Sequence, residues 1–172
     1  MMKKSILAAA IILSSVGNSA FAVQDATITF TGKVTATTCD VSSGGDQEVN
    51  FGLIAADSFK GVGTPGAEVP FSIKLSGCES ISQATATFDG QADSTDKTLI
   101  ANTATDGAEG VAFAIYEADK TTKIDLNTES KPVAVDQGGN IEMKFWAKPV
   151  ATAETINNGD LKGQAVVNIL YK

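Results

Sequence analysis

The segment Ala26–Val34 alternates strictly between two kinds of residue. One face carries apolar or small side chains, whereas the other carries three threonines and a lysine. The members of the first face are Ala26, Ile28, Phe30, Gly32 and Val34. Such alternation, with β-branched and aromatic members, predicts a β-strand with one buried face. Residues 163–172 predict a second strand of this kind, with Ala165, Val167, Ile169 and Tyr171 on one side. The first strand therefore pairs either within its own domain or with another copy of the chain.

The first 22 residues have the pattern of a secretory signal. Lys3 and Lys4 precede the apolar run Ile6–Val16, and Ala20-Phe21-Ala22 forms a small-residue cleavage site. The apolar run is shorter than the roughly 20 residues that cross a bilayer. Removing residues 1–22 from 172 leaves 150, which is enough for one domain with a core. We predict a signal over 1–22, an arm over 23–38 that leads into the first strand, and a domain over 39–172.

The charge of the chain is strongly negative. All 13 basic residues are lysines, and removing Lys3 and Lys4 leaves 11 against 20 acids, a net charge of −9. Nucleic acids and anionic lipids bind clustered positive charge, so we expect no nucleic-acid partner and no membrane insertion after signal removal.

Histidine is absent from the whole sequence. That removes Ser-His and Cys-His nucleophiles, imidazole bases and histidine metal sites. Two carboxylate pairs, Asp93 with Asp96 and Glu117 with Asp119, lie in loops or at strand ends, where we expect solvated surface. We therefore predict no enzymatic activity, no cofactor and no metal.

The chain has two cysteines, Cys39 and Cys78. In an exported protein a single disulfide is the default expectation, and free thiols or metal ligands are the alternatives. Two cysteines without histidine do not make a structural zinc site. A bridge closing a loop of about 40 residues would stabilise the fold by roughly 4 kcal/mol.

Short alternating segments separated by turns run through the rest of the chain. We predict strands at Gln47–Ile54, Pro70–Leu75, Ala84–Phe88, Thr98–Ala101, Val111–Tyr116, Lys123–Leu126, Pro132–Val135 and Ile141–Ala147. Turns are predicted at Ser42–Asp46, Asp89-Gly90, Asp106-Gly107, Gly138-Gly139 and Asn157–Gly159, and a glycine-rich loop at Lys60–Gly66. The segments Lys123–Leu126 and Pro132–Val135 look like a hairpin. Strands at this spacing predict a β-sandwich.

Trp146 lies on the strand face of Glu142, Lys144 and Lys148, so the alternation points it away from the core. One interpretation is packing beneath a neighbouring loop. The other is a contact between stacked subunits, because exposed aromatic residues are enriched at interfaces.

Several features together resemble the structural subunits (pilins) of type 1-like, chaperone–usher fimbriae. They are the series Ile28-x-Phe30-x-Gly32-x-Val34, the following Cys39, and Phe71-x-Ile73-x-Leu75-x-x-Cys78. Gly159, fourteenth from the carboxyl end, and the penultimate Tyr171 complete the set. The resemblance implies an incomplete immunoglobulin-like β-sandwich that lacks its last strand, which a donor strand from another subunit supplies.

The resemblance also implies a mechanism of assembly and a set of partners. Ile28, Phe30, Gly32 and Val34 would form the donor face of the arm. Gly159, Ala165, Val167, Ile169, Tyr171 and Lys172 would form the groove and chaperone-binding strand, with the terminal carboxylate of Lys172 as an anchor. A periplasmic chaperone first lends a strand, and the arm of the next copy replaces it at the outer-membrane usher. Such head-to-tail contacts do not close, so they build a filament at the cell surface.

Three classes of function remain open from the sequence. The first is a structural subunit of a surface fimbria that supports adhesion. The second is a minor, adaptor or adhesive single-domain pilin, although tip adhesins of the family carry an additional lectin domain. The third is a monomeric secreted β-sandwich that binds an unrelated ligand.

Overall fold

The structure is a computed structural model that describes residues 39–42 and 45–172. The predicted signal, the predicted arm with Ile28, Phe30, Gly32 and Val34, and the middle of the predicted turn Ser42–Asp46 lie outside the described residues. The described part contains nine strands and one short 3-10 turn, Ala56–Ser58. The strands are β1 Asp40–Val41, β2 Val69–Ser76, β3 Gln83–Gly90, β4 Ile100–Ala101, β5 Val111–Glu117, β6 Lys123–Ile124, β7 Val133–Ala134, β8 Ile141–Ala151 and β9 Ala165–Tyr171.

These strands form two antiparallel sheets. The larger sheet has the order β1-β2-β8-β5-β4, with β6 also paired to β5, and the smaller sheet has the order β7-β3-β9. Phe88 of the smaller sheet meets Phe145 of the larger one edge to face, with ring centroids 5.1 Å apart. Because both rings are 2% exposed, the sheets bury their facing sides against each other. The predicted all-β sandwich is confirmed.

The alternation of the long strands explains which side faces the core. Ile141, Met143 and Phe145 of β8 are at most 2% exposed, whereas Glu142 and Lys144 between them are exposed. Period-two alternation places successive side chains on opposite faces, so these residues line the core. Ile73 and Leu75 of β2 and Ile115 of β5 belong to the same cluster.

Strand β5 is buried on both faces. Phe113 and Ile115 face the core between the sheets, whereas Ala112 and Ala114 join Leu99 and Val150 in a second apolar cluster. Part of the cover comes from residues 63–66, which pair with the last residues of β8. The backbone nitrogen and carbonyl of Pro149 face that loop and not strand β5. The carbonyl accepts a hydrogen bond from the N–H of Gly66, and the missing N–H of proline costs no hydrogen bond to β5.

Four local predictions are wrong. No strand forms at Gln47–Ile54, which is an irregular segment in the described structure. The segments Lys123–Leu126 and Pro132–Val135 do not form a hairpin, because β6 pairs with β5 and β7 pairs with β3. Asp89-Gly90 ends a strand instead of forming a turn, and the predicted turn at Asn157–Gly159 is an irregular stretch before β9.

The predicted surface carboxylates also need one correction. Glu117 is only 7% exposed, and its carboxylate accepts a 2.6 Å hydrogen bond from the backbone N–H of Lys131. It therefore ties the end of β5 to the segment before β7. Lys148, expected on a solvated face, is 8% exposed. Its Nζ donates to the Lys120 carbonyl and lies 4.5 Å from the centre of the Tyr116 ring.

Within residues 39–42 and 45–172, no helix is long and apolar enough to cross a membrane. In the same residues, no group of three or more acidic or cysteine side chains is placed to hold a metal ion.

Candidate functional site

Strand β9 forms one edge of the smaller sheet. It pairs antiparallel with β3 from Ala165 opposite Gly90 to Tyr171 opposite Ala84. Among the described residues no strand pairs with its other edge. Unpaired backbone N–H and C=O groups along an edge of seven residues are a template for another strand.

The side chains of β9 follow the predicted alternation. Val167, Ile169 and Tyr171 stand opposite Phe88, Ala86 and Ala84, which are at most 2% exposed and belong to the core. Directly opposed residues in an antiparallel pair share a face, so these three side chains point toward the facing sheet. Ile169 and Tyr171 pack against the core cluster.

Strand β9 is nevertheless more exposed than is usual for a strand of such apolar composition. Val166 is 66% exposed and Val167 is 36% exposed, although five of the seven residues are Val, Ile, Leu or Ala. The long apolar strands β5 and β8 are mostly buried. An apolar edge that is half-covered on its core side is a surface that a further strand would complete.

The end of β9 is held by several contacts of Lys172. Its backbone N–H donates to the Gln83 carbonyl, and its carbonyl oxygen accepts from the N–H of Gln83 and from both the N–H and hydroxyl of Ser82. Its Nζ lies 2.5 Å from Oε2 of Glu129, which also accepts from the Thr85 hydroxyl. These contacts, led by that of Lys172, lower the pKa of the Glu129 carboxyl.

The start of β9 is fixed by close packing. A Cβ on Gly163 would lie 2.7 Å from the Phe113 ring, which stacks on Phe51 with centroids 5.7 Å apart. Gly159, expected on the groove strand, lies six residues before β9. Its Cα packs against the backbone of Asp106, Gly107 and Ala108 so closely that no side chain fits.

A cleft of about 740 Å³ opens beside the chain that enters β9. Its walls are the segments 48–54, 104–111 and 156–162, with Phe51, Ile54 and Leu161 among the apolar members. Leu53 on its rim is fully exposed. Residues 48–54 of the predicted strand Gln47–Ile54 line this cleft and do not join a sheet.

The predicted disulfide is confirmed. Cys39 and Cys78 are bonded with their Cα atoms 4.9 Å apart. The bridge joins the residue before β1 to the loop after β2, and both sulfurs are buried. It therefore holds the short edge strand β1 against β2.

Trp146 points away from the core, as the alternation predicts, and is half-buried. Nζ of Lys120, in the turn between β5 and β6, lies 3.8 Å from the centre of its ring. Oε1 of Glu68 lies 2.5 Å from the same Nζ. This geometry agrees with packing beneath a neighbouring loop.

In the part of the chain that the structure describes, the fold and the edge of β9 define an immunoglobulin-like β-sandwich without its last strand. Comparisons with known proteins agree with this class. The family model described as fimbrial protein matches residues 28–172. Long polar fimbria protein A of Salmonella typhimurium is 32% identical over 178 residues, covering 100% of this chain and 98% of that protein. Fimbrial subunit ElfA of Escherichia coli K12 is 33% identical over 180 residues, covering 99% of each.

A solved structure gives the same result. The crystal structure of a Burkholderia pseudomallei antigen and type I fimbria protein is 29% identical, with a TM-score of 0.62. The match covers 78% of this chain and 88% of that one. The chain belongs to the fimbrial protein family, and it is a structural subunit of a bacterial surface fimbria. The family is one of structural pilins, so the partners of this chain in the fimbria are other pilin subunits, outside the cell.

Proposed function

We propose that this subunit polymerises head to tail by donor-strand exchange along the free edge of β9. The arm of one copy supplies Ile28, Phe30, Gly32 and Val34 to the next copy. The observation that carries the proposal is that β9 is apolar, half-exposed and paired on one edge only within the described residues. An arm strand added there would satisfy the backbone groups of that edge.

The side chains of the arm suit such a groove. Burying Ile28, Phe30 and Val34 is worth about 1.5–3 kcal/mol each. Gly32 interrupts an otherwise ideal strand, and such a glycine often marks a close approach of another chain. The accepting side of the groove is formed by Ala165, Val167, Ile169 and Tyr171, with Lys172 at its end.

Before polymerisation, a periplasmic chaperone occupies the same edge, and the outer-membrane usher is where the arm replaces it. An unfilled edge of this composition would aggregate, which is why a temporary strand is needed. Residues 1–22 act as the export signal, residues 23–38 as the arm and residues 39–172 as the accepting domain. The resulting fimbria supports adhesion; one relative is named a laminin-binding fimbrial subunit.

Two variants of the chain test the proposal. In the first, residues 26–34 are deleted; in the second, the same residues are grafted behind Lys172 through a short flexible linker. We expect the deletion to fold with its chaperone but to give no ladder of polymers on an unheated SDS gel. We expect the graft to give a soluble monomer that no longer needs the chaperone.

Single substitutions sharpen the test. Phe30→Asp places a charge in an apolar groove and should stop polymerisation while leaving chaperone binding intact. Thr29→Asp, on the opposite face of the arm, is the matched control and should polymerise. If the arm instead completes its own domain, the deletion misfolds even with chaperone and the graft changes nothing. Either result refutes donor-strand exchange.

A further inference from the structure

The side chains of β9 do not by themselves determine its register on β3. Its core-facing series, Val167, Ile169 and Tyr171, is apolar, and its outward face carries the apolar Val166 and Leu170. A shift by one residue would turn the amide of Asn168 toward the core, which is unfavourable. A shift by two residues keeps every side chain on its own face, so the alternation does not exclude it.

An ion pair at the carboxyl end of β9 does depend on register. Lys172 joins Ser82, Gln83 and Glu129 through backbone and side-chain contacts of 2.5 to 3.1 Å. A two-residue shift moves the strand by roughly 6.6–6.8 Å. That distance breaks the ion pair between Lys172 and Glu129. The bonds from Ser82 are not selective in this way, because they go to a main-chain oxygen and the carbonyl of Leu170 can accept them after the shift.

A second constraint lies where the chain enters β9. Gly163 lies against the Phe113 ring, where any Cβ would come within 2.7 Å of ring carbons. A two-residue shift would bring Leu161 or Ala165 to this place, and both carry a Cβ. Phe113 is 7% exposed and stacked on Phe51, so it has little room to move.

We propose that Glu129 and Gly163 are positioning residues that set the register of β9 on β3. The core side of β9 leaves the register open, and these residues at its two ends select one of the allowed pairings. The register decides where the unpaired N–H and C=O groups of the free edge lie relative to the rest of the core. The inference concerns the fold of one subunit and holds whichever strand covers that edge.

Engineered disulfides can report the register directly. The pair Asp89→Cys with Val166→Cys joins residues that face each other in the structure. Facing Cα atoms in such a ladder are about 4.5–5.5 Å apart, within the range of a disulfide. The pair Thr87→Cys with Val166→Cys reports a two-residue shift, because diagonal neighbours are roughly 7–8 Å apart and should not bond in the native register.

Each reporter pair is placed in a separate full-length chain. The subunit is then recovered from fimbriae and from periplasm. Bonded peptides are quantified by mass spectrometry without reduction. In the otherwise native chain we expect the facing pair to be bonded and the diagonal pair to be mostly free. With Glu129→Gln, the bonded fraction of the diagonal pair should rise severalfold.

Matched controls separate register from general stability. Glu142→Gln removes an exposed ion pair between β2 and β8, so the diagonal pair should stay free. Exchanging the charges, with Glu129→Lys and Lys172→Glu together, should restore the native pairing, whereas Glu129→Lys alone should not. Gly163→Ala should also raise the diagonal bond or prevent recovery of folded subunit.

The proposal is overturned if the diagonal bond stays at the native level in the Glu129→Gln chain. It is equally overturned if Glu142→Gln raises that bond as much as Glu129→Gln does. Because Glu129 is exposed, its variants are expected to fold, so the result does not depend on Gly163→Ala.

Discussion

Lys120 lies over Trp146, with Nζ 3.8 Å from the centre of the indole ring. Lys120 has a positive φ of 66° in the turn after β5, a conformation that brings its side chain back over the sheet. Oε1 of Glu68 forms an ion pair with the same Nζ. The single tryptophan of the chain is thus covered by a residue 26 positions earlier in the sequence, which no local pattern reveals.

Removing this cation should be visible in the fluorescence of Trp146. We expect Lys120→Met to change the emission maximum and to lower the free energy of unfolding by about 0.5–1 kcal/mol, the usual worth of an exposed cation–π contact. Urea unfolding followed at the tryptophan measures both. Lys144→Met on the same strand is the control, because Lys144 pairs with Glu142 and should leave the emission unchanged.

Breaking the Cys39–Cys78 bond should destabilise the subunit strongly. We expect Cys39→Ser to lower the free energy of unfolding by roughly 2–5 kcal/mol, since a 39-residue separation is no longer cross-linked. Denaturant titration measures the loss. The double variant Cys39→Ala with Cys78→Ala shows how much of it comes from an unpaired buried thiol. Labelling of two free thiols in the folded native subunit would contradict the bond.

Asp119 organises the turn between β5 and β6. Its carboxylate accepts from the Lys131 ammonium and from the N–H and hydroxyl groups of Thr121 and Thr122. These contacts, led by that of Lys131, hold the pKa of Asp119 far below its ordinary value. Asp119 in turn raises the pKa of Lys131.

The direction of these shifts fixes the pH dependence. A lowered carboxyl pKa stabilises the fold above the unfolded value of about 3.9, and this stabilisation is lost as pH falls toward the folded value. The raised pKa of Lys131 contributes below the unfolded value of about 10.4 and is lost as pH rises through the folded one. The pair therefore stabilises most between about pH 4 and pH 10.

We expect Asp119→Asn to lower the denaturant midpoint at pH 7, and the difference from the native chain to shrink below about pH 3.9. Midpoints measured from pH 2 to pH 8 test this. Asp57→Asn removes the same formal charge from an exposed site and controls for net charge. A difference between Asp119→Asn and the native chain that is constant over the whole range would contradict the assignment.

The sequence predicts the faces of strands β8 and β9 because each of them has one side turned to the core. In β8, for example, Met143 and Phe145 alternate with charged residues, and in β9 Ile169 and Tyr171 fall on the core side. Period-two patterns are local, so a single sequence is enough to see them. The disulfide was predictable because an exported chain with two cysteines leaves one pairing.

The errors arise where partners are distant in sequence. The apolar alternation of Gln47–Ile54 is real, but Phe51 satisfies it by stacking on Phe113 instead of joining a sheet. Likewise, β6 and β7 are close in sequence yet pair with β5 and β3, because the intervening residues Asn127 and Ser130 donate to the backbone of β3. Lys148 is buried through contacts with Glu68 and the Lys120 carbonyl, both far along the chain.

The variant Gly159→Ala tests whether close backbone packing before β9 contributes to the stability of the subunit. Its Cα faces the backbone of residues 106–108, and a Cβ built there overlaps main-chain atoms that cannot rotate away. The neighbouring bridge between Gly107 and Asp160, with hydrogen bonds from Ala108 and Asn102 to the Asp160 carbonyl, keeps the two segments together. We expect Gly159→Ala to separate them at a cost of about 1–3 kcal/mol, the usual range for overpacking.

Gly45→Ala is the matched control, because a Cβ at that position meets no atom within 4 Å. We expect its denaturant midpoint to stay close to the native one, whereas that of Gly159→Ala should fall clearly. Amide hydrogen exchange locates the effect: faster exchange at Ala108 and Asp160, whose N–H groups bond across the two segments, is expected in Gly159→Ala only. Equal midpoints for the two variants would mean that the segments adjust at no cost, and the requirement for glycine at position 159 would then have to come from a partner that packs there.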